Sequence, residues 1–110
     1  MKAAAKELNG LGALWASANV EGICGPLMTI VDYKGFRIVA MSLLPIGKDT
    51  IRYGSADGGI TVHADDPFLN KQLKAFAKPY HLKKHLVGKD LAARALYLPG
   101  DIEGHHGYDD

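Results

Sequence analysis

Ile30-Val31-Asp32-Tyr33-Lys34-Gly35-Phe36-Arg37-Ile38-Val39-Ala40 reads as two β-strands joined at a tight turn. The flanking residues extend both runs. Leu27 to Tyr33 and Phe36 to Leu44 are rich in Ile, Val, Leu and aromatic side chains, the residues that suit a pleated surface. Lys34-Gly35 lies between them, and Gly35 supplies the positive φ a hairpin demands, read here as a type I turn with a bulge. Asp32 suits such a turn because its carboxylate can accept hydrogen bonds from nearby backbone. Arg37 interrupts the second run, which places one face in water there. From Ile38 to Leu44 the run is almost wholly apolar, which predicts burial on both faces.

Downstream, Pro45 ends the second strand and Ile46-Gly47-Lys48-Asp49 makes a turn. Thr50-Ile51-Arg52-Tyr53 alternates as a third strand, and Ile60-Thr61-Val62-His63 is a short fourth. Gly54-Ser55-Ala56-Asp57-Gly58-Gly59 connects them, with Asp57-Gly58 as the hairpin turn. Asp65-Asp66-Pro67 is a strong helix start: an Asp accepts from the first free amides and Pro fits the first turn. The helix should run over 67–78, with Leu69, Leu73, Phe76 and Ala77 on one face and Lys71, Lys74 and Lys78 largely away from it. Pro79 stops it. The segments 81–87 and 91–98 fit either strand or helix. Upstream, apolar residues at helical spacing predict a leading helix over 3–18, although Gly10 and Gly12 each cost about 1 kcal/mol against Ala. The fold class is therefore α+β. It is an antiparallel β-meander of four to five strands with helix 67–78 packed on one face, in a single domain over 1–110.

Composition narrows the function. A chain of 110 residues holds one small core. Its 47% hydrophobic content and 23% charged content argue against global disorder. A net charge of +1 gives no overall field toward nucleic acid or membrane, so any basic patch must be local. Cys24 stands alone and suits a reducing compartment. No apolar run approaches the ~20 residues of a membrane span, so no membrane insertion is expected. No motif calls for a cofactor.

Several separated pieces resemble the Clu domain of the clustered mitochondria family, in order and at family-like spacing. Val20-Glu21-Gly22 precedes Val31-Asp32-Tyr33-Lys34-Gly35-Phe36-Arg37, and Ser42 and Pro45 follow. Tyr53-Gly54-Ser55, Asp57, Gly59, Thr61 and Val62 come next. Gly100-Asp101-Ile102-Glu103-Gly104-His105 and Gly107-x-Asp109 complete the series. The resemblance covers roughly residues 20–110. It lacks the family's ubiquitin-like region, its helical repeats and the Tyr-rich strand expected next, so the chain reads as part of a larger domain or as a short relative. It implies a cytoplasmic protein concerned with mitochondrial distribution. In larger members it implies messenger-RNA binding, with translation or mitochondrial-surface proteins as partners. It carries over no catalytic residue.

The candidate binding residues are Lys71, Lys74, Lys78, Lys83 and Lys84, with His81, His85 and Lys89 beside them and Tyr80 as a base-stacking ring. Lys34 and Arg37 present charge at the hairpin tip. This lysine run is the only regional charge excess, and an ordinary solvated helix face is its alternative reading. Asp32, Gly35, Tyr53, Gly54, Ser55, Asp57, Gly59, Gly100, Asp101, Gly104 and His105 belong to the family motif, with no role assigned.

Other chemistry is weaker. The glycine loop at 54–59 lacks the Gly-Lys-Ser/Thr ending of a phosphate loop. His81 and His85 would share a face if their segment were helical, and His105-His106 with Asp109-Asp110 offer further ligands, yet neither group makes a closed zinc framework. Ser55, His63 and Asp57 form a triad on paper only, with no nucleophile elbow. A metal-assisted or phosphotransfer enzyme using Asp57, His63, Asp101 and His105 is the alternative to a non-catalytic module. A third reading is homodimerisation through an exposed sheet edge.

Overall fold

The hairpin forms where the sequence places it. The computed structural model describes residues 2–17 and 20–107. In it β1 (Met28–Tyr33) pairs antiparallel with β2 (Phe36–Met41), from Tyr33 opposite Phe36 to Met28 opposite Met41. The connection differs from expectation. Lys34 and Gly35 have φ of 47° and 81°, and Tyr33 pairs directly with Phe36. Positive φ at both central residues of a two-residue loop defines a type I′ turn, whose twist matches that of the strands it joins. At the open end, Leu27 and Ser42 close the ladder. The Ser42 amide donates to the Leu27 carbonyl and the Leu27 amide donates to Ser42 Oγ.

Helix α1 (Lys2–Ser17) lies against both strands; residue 18, the expected last position, is outside the described residues. Met28 and Ile30, two apart on one face of β1, are half-buried. The predicted burial of 38–44 on both faces does not occur. Every residue of β2 is exposed, and Leu43 is 99% exposed. The reason is sheet size: β1 and β2 form a sheet of only two strands, and a single helix cannot cover both of its faces. These elements belong to the first of two compact units, 1–44 and 45–110. No described residue of the first unit is fully buried.

The core lies in the second unit, built from Ile51, Tyr53, Val62, Leu69, Leu73, Phe76, Ala77, Leu96 and Leu98. The strands β3 (Ile51–Gly54), β4 (His63–Ala64) and β7 (Gly104–His105) make an antiparallel sheet in the order β4-β3-β7. Helix α2 (Pro67–Ala77) buries the four residues assigned to its inner face. Asp66 caps it, with Oδ1 accepting from the Leu69 amide at 3.0 Å, and Pro67 opens the first turn. The helix does not end abruptly at Pro79. It tightens into a 3-10 turn over Lys78–Tyr80 and stops at His81, whose φ is 56°.

The two ambiguous segments resolve as a second hairpin. β5 (His85–Val87) pairs antiparallel with β6 (Arg94–Leu96) around a 3-10 turn at Asp90–Ala92. The architecture is α+β, and among the described residues the strands pair antiparallel in three small sheets.

Tyr53 joins these pieces. Its ring is buried, and its hydroxyl accepts from the Tyr97 amide at 2.9 Å and the Leu98 amide at 3.1 Å. Gly54 follows with φ 90°, and its Cα faces the Ile102 carbonyl with no space for a side chain. Removing the hydroxyl in Tyr53→Phe leaves the Leu98 amide buried without its acceptor. Chemical denaturation should show a loss of about 1–3 kcal/mol; an unchanged midpoint would mean that water or another acceptor replaces the hydroxyl.

Candidate functional site

Four lysines of the second unit, Lys71, Lys74, Lys78 and Lys83, line one open groove of about 550 Å³. Lys71, Lys74 and Lys78 reach it from the outer face of α2, at a spacing of three to four residues that stacks them along one side. Lys83 and His81 come from the segment after the helix. Ala75, Leu82 and Tyr97 supply its apolar surface. No Asp or Glu lines it, and none of its lysines forms an ion pair among the described residues. Lys74 Nζ sits 5.5 Å from the centre of the Tyr97 ring. Its like-charged amines therefore stand together without a counter-ion among the described residues.

The structure sorts the sequence candidates. Lys71, Lys74, Lys78, Lys83 and His81 meet in the groove. Lys84, exposed, and Tyr80, half-buried, are not among its lining residues. The aromatic residue of the groove is Tyr97, which sequence reasoning misses because its segment has no assignable pattern. Lys89 lines a different groove. On the hairpin, Lys34 Nζ lies 5.3 Å from the Tyr33 ring. Arg37 is neutralised rather than presented. It faces Asp32 across the ladder and donates from Nε and Nη2 to the two carboxylate oxygens at 2.7 and 2.8 Å. Asp32 thus pairs with a side chain instead of local backbone, and the Arg37 guanidinium holds its carboxyl below the usual carboxylate range.

The family-motif residues are spread over the second unit's sheet, a second groove, the 55–62 loop and the hairpin. Tyr53, Gly104 and His105 belong to the β3–β7 pairing, and Gly54 pairs with His63 of β4. His105 Nδ1 is hydrogen-bonded to Thr50 Oγ1 at 2.9 Å and Nε2 to Glu103 at 3.1 Å. Ser55, Gly59, Gly100 and Asp101 line a second groove of about 540 Å³. Gly35 holds the hairpin turn.

The predicted Asp57-Gly58 hairpin turn is instead a wide loop over 55–62, because β4 begins only at His63. Asp57 organises that loop. Its Oδ1 accepts from the Thr61 amide at 2.8 Å and from Ser55 Oγ at 2.9 Å, while the Gly59 amide donates to Ser55 Oγ. These bonds, the Thr61 amide first, hold the Asp57 carboxyl below its ordinary range.

Among the described residues, the Ser55, His63 and Asp57 side chains are not linked as a triad. Ser55 donates to Asp57 rather than to a base, and His63 pairs with Asp65 at 3.2 Å. His81 and His85 share no helix face, since one ends a helical turn and the other opens β5. His106 pairs with Asp66 at 2.7 Å. Asp109 and Asp110 lie outside the described residues. Among the described residues no three His, Cys, Asp or Glu side chains are grouped to hold a metal.

Comparison with known proteins fits this arrangement into a lineage. The family model "Clustered mitochondria" matches residues 1–110, which includes the leading helix. The clustered mitochondria protein of Arabidopsis thaliana is 39% identical over 67% of this chain and 6% of its own length. A homolog in Xenopus tropicalis is 33% identical over 76% of this chain and 7% of its own. One in Pyricularia oryzae is 32% identical over 92% of this chain and 8% of its own. The chain belongs to the clustered mitochondria family. It spans less than a tenth of the length of these three relatives. No solved structure matches it.

The loop bonds carry a pH signature. A carboxyl whose folded value is depressed adds stability that is complete above about pH 4 and is lost as pH falls through the folded value. The Asp57 side-chain carboxyl carbon should therefore titrate below that of an unpaired aspartate by NMR. The Asp57→Asn variant should lose the corresponding acid limb of the stability profile. Titration at or above the unpaired value would contradict the bonding described.

Proposed function

We propose that this chain is a non-catalytic interaction module that binds RNA through the lysine groove, within a cytoplasmic protein of mitochondrial distribution. The observation that carries the reading is the gathering of Lys71, Lys74, Lys78 and Lys83 around one groove that, among the described residues, no carboxylate lines. Such a set releases counter-ions when it meets phosphates, which makes affinity fall with salt. The family resemblance supplies messenger RNA as the polyanion, and the names of the relatives supply the link to mitochondria.

The test is fluorescence anisotropy of a labelled RNA against the purified chain at rising salt. Lys74→Glu with Lys83→Glu should weaken binding by tenfold or more and flatten the salt slope by about one unit for each phosphate no longer neutralised. Lys84→Glu, outside the groove, should change it little. Equal effects in both variants would make the binding diffuse rather than localised, and salt-independent binding would remove the phosphate reading.

A second reading, self-association, is favoured by the hairpin. Val31, Tyr33, Phe36, Ile38 and Met41 are all exposed there, on a sheet that has two strands and free edges among the described residues. Sedimentation velocity should then show a concentration-dependent dimer that Ile38→Lys suppresses. A monomer at all concentrations would exclude it.

A further inference from the structure

From the pairing of Lys74 with Tyr97 we infer that the groove takes a single-stranded nucleic acid and stacks one base on Tyr97, rather than holding a duplex by its phosphates alone. This deepens the RNA-binding reading and rests on it. The argument begins with how the groove is lined. Its rim is cationic, through Lys71, Lys74, Lys78 and Lys83, whereas Ala75, Leu82 and Tyr97 are apolar or aromatic. A duplex offers phosphates to such a rim but keeps its base faces inside the stack, so the apolar surface would gain nothing. A single strand offers both, since every base has a face that an aromatic ring can meet.

The placement of Tyr97 suits this role. Its backbone amide is fixed by the Tyr53 hydroxyl at 2.9 Å, which anchors the residue from within the core, while its side chain reaches the groove. The Lys74 amine stands 5.5 Å from the ring centre. A base and its own phosphate are held one ribose apart. The amine lies over one face of the ring, so a base that stacks there displaces it, and the phosphate one ribose away meets the freed Lys74 amine. The set contains no fixed amide or carboxylate to read base edges: its side chains are Lys, His, Tyr, Ala and Leu. Stacking and charge alone give weak sequence preference.

The experiment compares a labelled oligouridylate with an RNA duplex of the same length, using the whole chain at low salt. The single strand should bind more tightly. Tyr97→Leu should weaken it by about fivefold or more and leave duplex binding unchanged. Tyr97→Phe keeps the ring and should match the parent, which guards against a folding defect in the leucine variant. Equal affinity for the two polymers, or a leucine variant that weakens both alike, overturns the inference. If Lys74→Glu with Lys83→Glu still abolishes binding in that case, the RNA-binding reading stands without it. If neither polymer binds at low salt, both readings fall together.

Discussion

The hydroxyl of Tyr53 is the contact on which the second unit depends. A buried phenol needs a hydrogen-bond partner, and buried amides need an acceptor. Tyr53 meets both needs at once by accepting from the amides of Tyr97 and Leu98. The bond spans 44 residues of sequence to Tyr97, so it fixes the segment after β6 against the central strand. Leu96 and Leu98, almost wholly buried, then point into the same core as Leu69, Leu73 and Phe76 of α2. The alternation that sends Leu96 and Leu98 inward turns Tyr97, between them, toward the groove. Core and candidate interface are therefore two faces of one short segment.

The division between the two units follows from the same accounting. The second unit has a three-stranded sheet, a helix with a continuous apolar stripe and a buried aromatic at the junction. The first has one hairpin and one helix that carries Gly10 and Gly12, and many of its apolar residues stay exposed. Local chemistry holds the hairpin instead. The type I′ turn, the Asp32–Arg37 fork and the Ser42 closure each act within the ladder.

Much of this is legible in the residues. Asp66-Pro67 sets the helix start, and the spacing of Leu69, Leu73, Phe76 and Ala77 sets its buried face, because capping and 3.6-residue periodicity are local rules. Lys71, Lys74 and Lys78 of the groove are legible for the same reason, since residues three to four apart on a helical segment share a side, whereas Lys83 lies beyond it. What escapes is whatever depends on distant partners. The apolar run 38–44 reads as a buried strand, but burial requires a layer to cover it, and no local pattern reveals whether one exists. Asp57-Gly58 reads as a tight turn, but Thr61 and Ser55 draw Asp57 into a wider loop. Tyr97 lies in a segment too short for periodicity to classify, and only the strand pairing of 85–87 with 94–96 reveals where it stands.

Asp66 carries one more consequence. Its Oδ1 caps the first turn of α2, while Oδ2 meets His106, just beyond β7. One carboxylate thus ties the start of the main helix to the closing strand of the sheet. The first helical turn and the strand at 104–105 share one fastening, so a local opening at either place removes a contact of the other.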